Sequence, residues 1–134
     1  MEKKIKVAFA TNDGNTYNDT HFGDSDYYDL YELSETEAVF LERITNTVDE
    51  EEEVHADPKK AKGIMNLLVK NGVHTVISKV FGPNIKRIKK KFVCILMNNV
   101  CLDDSISFLC KNLESVHNEW AKGEERKHLD FRKK

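Results

Sequence analysis

The sequence predicts an α/β domain of ribonuclease H-like architecture, a mixed five-stranded sheet with its elements in the order β-β-β-α-β-α-β-α. Three observations predict it. The first half holds three β-prone segments with no helical pattern between them. The short polar link Ser34-Glu35-Thr36-Glu37 joins the second and third as an antiparallel hairpin. The second half alternates buried-strand patterns with helical ones, and strands joined through helices become parallel neighbours by right-handed crossovers. A Rossmann arrangement is excluded, because it needs a helix directly after the first strand.

The first strand is Lys4 to Ala10, which alternates with lysine and then turns continuously apolar, as a strand does on entering a sheet from an exposed end. Thr11 to Asp24 is rich in Asn, Asp, Gly and Thr and reads as a loop. Asp26 to Leu33 is aromatic and β-prone, and Ala38 to Ile44 alternates, giving the second and third strands. Asp57-Pro58 opens a helix, since Asp accepts free N–H groups and proline tolerates the first helical position. Ala61, Ile64, Met65, Leu68 and Val69 carry that helix to a stop at Gly72. Val73 to Val80 is a β-branched run, Pro83 to Lys91 a short basic helix, and Phe92 to Met97 a fully buried type of strand. Asp103 or Asp104 caps a last helix whose stripe runs from Ile106 through Leu109, Leu113 and Val116 to Trp120, with Gly123 ending it. Residues 1–123 are expected to form one domain, and the charged segment 124–134 to fray.

Composition narrows the function classes. With 40% hydrophobic and 33% charged residues in 134, the chain has the apolar surface a globular core needs. Its longest apolar stretch, Phe92 to Met97, falls far short of the roughly 20 residues that span a bilayer. The start lacks the pattern of a secretory signal, so a cytoplasmic protein, monomeric or weakly dimeric, is expected. Cys94, Cys101 and Cys110 have no CxxC spacing, which argues against a disulfide framework and a four-thiolate site. A nuclease of this architecture would place an Asp within the first strand, and Ile5 to Ala10 has no carboxylate. No phosphate-binding GxxxxGK[ST] loop and no Ser/His/Asp spacing is present, so no enzyme activity is expected.

The topology sends strands one, three, four and five the same way, so the loops after them share one edge, where open α/β sheets tend to bind ligands. Those loops are Thr11 to Asp24, Asn46 to Asp57, Lys79 to Asn84 and Asn98 to Asp103, and they carry His21, His55, Lys79 and Cys101. Imidazole and thiolate are both donors to iron and to iron-sulfur clusters. Plain alternatives stand beside them: a loop histidine at 21, a surface histidine at 55 among acidic neighbours, and an idle thiol at 101. Cys94 and Cys110 fall on apolar patterns and read as core. Gly82-Pro83-Asn84 would set the start of the basic helix at this edge, where N–H groups, Lys79, Lys86 and Arg87 favour an anion. That supports an alternative, an anion- or nucleic-acid-binding module on helix 84–91, although too few aromatics accompany the lysines for base stacking and nucleic acid is not expected.

Val7-Ala8-Phe9-Ala10-Thr11-Asn12-Asp13-Gly14, then His21-Phe22-Gly23-Asp24 before Tyr27-Tyr28-Asp29-Leu30-Tyr31, then Gly72-Val73 and Val76-Ile77 leading to Phe81-Gly82-Pro83-Asn84, resembles the nitrogenase iron-molybdenum cofactor biosynthesis family, of the NifX-like type also found at the C-terminus of NifB. His-Phe-Gly alone is a weak signal; its place between an Ala-Thr-x-Asp-Gly strand end and an aromatic strand is more specific. The resemblance implies a non-catalytic carrier or scaffold for an iron-sulfur or iron-molybdenum cluster precursor, working with cluster-assembly proteins. It implies His21 as a metal ligand; His55 and Cys101 are further candidates through the place of their loops at the same edge. The binding edge is expected to be lined by the motif residues Thr11, Asn12, Asp13, Phe22, Gly23, Gly82, Pro83 and Asn84, with Lys79 placed there by its loop. Lys79 departs from the family pattern, which often has a small residue there.

Overall fold

The computed structural model describes residues 4–17, 21–46, 58–83, 85–99 and 101–132, the side chains of 58–62 excepted. Among these lie β1 (Ile5–Thr11), β2 (Tyr27–Leu33), β3 (Ala38–Thr45), α1 (Pro58–Lys70), β4 (Thr75–Ser78), α2 (Ile85–Ile88), β5 (Val93–Leu96), α3 (Leu102–Cys110), α4 (Leu113–Trp120) and β6 (Leu129–Asp130). The strands form one mixed sheet in the order β3-β2-β1-β4-β5-β6. The β1/β2 and β2/β3 pairs are antiparallel; β1/β4, β4/β5 and β5/β6 are parallel.

The alternation of β1 divides the core in two. Ile5, Val7 and Phe9 face α3 and α4, where Ile106, Leu109, Leu113 and Val116 meet Ile77, Val93 and Ile95. Ala8 and Ala10 face α1 and α2, where Ile64, Met65, Leu68 and Ile88 pack with Val76, Phe92 and Cys94. A sheet covered on both faces explains why β1, β4 and β5 read as almost unbroken apolar runs. Helix α1 ends as its glycine requires: Gly72 takes φ +79°, and Val73 donates from its N–H to the Leu68 carbonyl at 3.0 Å.

The β2/β3 hairpin closes through Ser34, whose N–H donates to the Glu37 carbonyl at 2.9 Å. Its register shifts between Leu30 and Tyr31, so that Asp29 stands opposite Arg43 and Tyr31 opposite Phe40. An unbroken hairpin counted from Leu33 and Ala38 would have set Asp29 against Glu42. The bulge replaces a like-charge pair by an ion pair, with Arg43 Nε donating to Asp29 Oδ1 at 2.8 Å and Nη2 to Oδ2 at 3.2 Å.

Four expectations are corrected. The sheet has six strands and not five, because Leu129–Asp130, in the segment expected to fray, pairs with β5, and Phe131 N–H donates to the Leu96 carbonyl. Arg126 secures this segment: its guanidinium lies 4.3 Å from the Trp120 ring centre and donates to the carbonyls of Trp120, Lys89 and Lys90. The last helix is two, α3 and α4, because the Asn112 side chain donates back to the Phe108 carbonyl at 2.7 Å and interrupts the ladder. Its N-cap is Cys101, with Asp103 and Asp104 in the first turn, not an aspartate. The basic helix is a single turn, Ile85–Ile88, followed by turns at Lys89–Lys91. Asp57, proposed as the cap of α1, and the acidic run 49–53 lie outside the described residues.

No helix among the described residues is long and apolar enough to cross a membrane.

Candidate functional site

Parallel pairing of β1 with β4 places the loops after both strands side by side. The contact between them is direct. His21 forms a parallel bridge with Val80, and its ring lies so close to Gly82 that a Cβ added there would be 2.6 Å from Nδ1 and 2.7 Å from Cε1 and Cγ. Gly82 takes φ +74°, which brings its backbone up to the ring without steric cost.

Phe22 forms the floor. It is 1% exposed, stacks on Phe81 at 5.3 Å between ring centres and meets Tyr28 at 5.0 Å. Its carbonyl accepts the Tyr28 hydroxyl at 2.7 Å. Burial pushes the Tyr28 hydroxyl well above the usual phenol range, so it stays a neutral donor. Gly23 is held by its carbonyl, which accepts the Asn46 amide at 3.0 Å, and this ties the end of β3 to the same edge. A Cβ on Gly23 would meet nothing within 4 Å, so packing does not require a glycine there.

The other first-loop residues build the turn. Thr11 Oγ1 donates to the Thr16 carbonyl and accepts from the Gly14 N–H at 2.9 Å. Asp13 accepts from the N–H groups of Asn15 and Thr16, both at 2.8 Å, and from the Thr16 hydroxyl. Asn12 Oδ1 accepts from the Asp26 N–H at 2.9 Å. The donors around Asp13, the Asn15 N–H first, hold its carboxyl down at about 2 against an ordinary 3.8. A lowered value means that this bonding stabilises the loop above the unfolded value and is lost as pH falls from 3.8 to about 2. Acid titration should therefore move the Asn15 and Thr16 amide resonances with a midpoint near the lower figure. A midpoint at the ordinary value would show that the bonds do not form in solution.

The α3 end reaches this edge through Leu102, whose N–H donates to the Asn15 carbonyl at 2.8 Å. Cys101, beside it, is half-buried. Lys79, Pro83, Lys86 and Arg87 are exposed. His55 and Asn84 lie outside the described residues. Among the described residues no three His, Cys, Asp or Glu side chains come together as a metal-binding group. The structure thus brings His21, Phe22, Gly23 and Gly82 together, and the Thr11–Asp13 turn reaches α3.

Sequence reasoning missed two supports. The Asp29–Arg43 pair packs beneath Gly14, where an added Cβ would strike Arg43 Nη2. A buried chain runs from the Tyr17 hydroxyl to Ser105 Oγ at 2.6 Å and from Ser105 to Asn99 Oδ1 at 2.8 Å. Asp29 within the aromatic strand YYDLYEL was a signal, because a carboxylate among buried positions needs a partner.

The family described as dinitrogenase iron-molybdenum cofactor matches residues 3–98. The chain belongs to that family. The match spans β1 to β5 and both loops of the His21–Gly82 contact, while α3, α4 and β6 lie beyond it. No curated protein matches. Two solved structures of a candidate dinitrogenase are similar. The crystal structure, from Methanocaldococcus jannaschii, has 20% identity and a TM-score of 0.55, covering 82% of this chain and 91% of that one. The NMR structure, from Methanococcus jannaschii, has 19% identity and a TM-score of 0.55, covering 84% and 93%. At such identity the likeness shows a shared fold.

Proposed function

We propose that the chain is a non-catalytic carrier or scaffold that holds an iron-sulfur or iron-molybdenum type cluster precursor at the edge where β1 and β4 end, with His21 as a metal ligand. The observation that carries this reading is the seating of the His21 ring on Gly82. Two loops distant in sequence meet there around an imidazole fixed by backbone, and a fixed donor loses less freedom on binding metal. The cluster is cargo, and it fits the donor chemistry, since imidazole nitrogen and thiolate sulfur both bind iron. Cys101 and His55 remain candidate further ligands. Exposed Lys79, Lys86 and Arg87 give the neighbouring surface the positive charge that an anionic cluster prefers. Membership of the iron-molybdenum cofactor family supports the cargo class, and the strand order supports the ribonuclease H-like reading. A cytoplasmic setting, with cluster-assembly proteins as partners, goes with this role. The anion- or nucleic-acid-binding alternative is set aside, because the helix it depends on is one turn long.

The test is anaerobic reconstitution with ferrous iron and sulfide, followed by metal and sulfide analysis of wild type beside His21→Ala. The variant should lose about tenfold or more in metal affinity, the range found even for groups that only orient a metal ligand. Its folding stability should change by about 1 kcal/mol or less, as His21 is only half-buried and its ring is no member of the Phe22–Phe81–Tyr28 cluster. Equal iron retention by both proteins would remove His21 as a ligand.

A further inference from the structure

The strand β3 is an edge of the sheet, with β2 as its neighbour on the inner side. Its first half is apolar and open, Val39 being 41%, Phe40 51% and Leu41 41% exposed. A long edge of this kind presents unpaired backbone N–H and C=O groups and is a template for another strand. Its charge says what kind. Glu35, Glu37 and Glu42 flank this apolar stretch, and among the described residues none of them forms an ion pair. The one cation on the strand, Arg43, is taken by Asp29.

We infer that the β3 edge docks an extended segment of a partner protein, apolar at its centre and flanked by lysine or arginine, which adds to the sheet as a seventh strand beside Val39–Leu41. Backbone pairing supplies the attachment and the three carboxylates select the basic flanks. A second copy of this chain is the poorer occupant, because pairing two β3 edges brings two sets of three carboxylates together with no free cation between them. The edge leads toward the site, since Asn46, directly after β3, donates to the carbonyls of Gly23 and Ser25. This inference rests on the sheet edge alone and stands whether or not the chain carries a cluster.

The test uses the full chain and two labelled peptides with the same Val-Thr-Val-Thr-Val centre, one with two lysines at each end and one with two glutamates. Fluorescence anisotropy should show the lysine peptide binding about tenfold or more tightly than the glutamate one, with the difference shrinking as salt rises. Amide resonances of residues 38–45 should shift most. The double variant Glu37→Lys/Glu42→Lys, both surface changes, should reverse the preference. No binding, equal binding of both peptides, or shifts centred elsewhere would overturn the inference. So would a dimer in sedimentation that Phe40→Glu dissolves, since that result makes a second copy the occupant.

Discussion

Phe22→Ala is expected to lower folding stability by about 3–5 kcal/mol, the range for removing a buried aromatic ring. The ring is 1% exposed and touches two others, Phe81 and Tyr28, so its loss leaves a cavity bounded by rigid partners that cannot collapse into it. Thermal unfolding followed by circular dichroism should show a midpoint roughly 10–20 °C below wild type. Phe22→Leu, which refills much of the volume, should cost less than half as much. The contrast with His21→Ala separates two roles within one tripeptide. Phe22 anchors the loop in the core, His21 is half-buried against Gly82, and the loop keeps its place through the buried bond from the Tyr28 hydroxyl to the Phe22 carbonyl. A Phe22→Ala protein that melts within a few degrees of wild type would mean that Phe22 does not hold this floor.

How much of this was legible in the sequence depends on the range of the contact that decides each feature. The meeting of His21 with Gly82 was legible, because it follows from strand direction: β1 and β4 are parallel neighbours, and loops after parallel neighbours emerge together. The hairpin was legible from its polar link, and the stop of α1 from Gly72. The bulge in β3 was not, since alternation predicts an unbroken ladder and only the need to pair buried Asp29 moves Arg43 into place. Nor was β6. Nothing local marks residues 124–132 as a strand; they are held by Arg126 acting on Trp120 and on the carbonyls of Lys89 and Lys90. The same two carbonyls help explain the shortness of α2, where closely spaced lysines repel along a helix and Arg126 takes the carbonyls that end the turn. Thr11 and Asp13 belong to the motif that marks the edge, and their side chains bond the turn itself, a contact that the motif alone does not reveal.

Gly82→Ala should destabilise the fold by about 1–3 kcal/mol through two separable causes. Its φ of +74° is a conformation that an L side chain takes only with strain. Its new Cβ would also lie 2.6 Å from His21 Nδ1, closer than such atoms approach, so the ring must leave its seat. The second cause vanishes when the ring is absent. In a double-mutant cycle, Gly82→Ala placed in a His21→Ala background should therefore cost only the backbone strain, and a coupling of about 1 kcal/mol or more should remain between the two sites. Iron bound after anaerobic reconstitution gives the functional half of the argument. Gly82→Ala keeps the imidazole but displaces it, so on the carrier reading its iron retention falls toward that of His21→Ala while the ligand is still present in the chain. Were the stability cost the same in both backgrounds, the imidazole would not rest on Gly82, and the two loops would not form one edge.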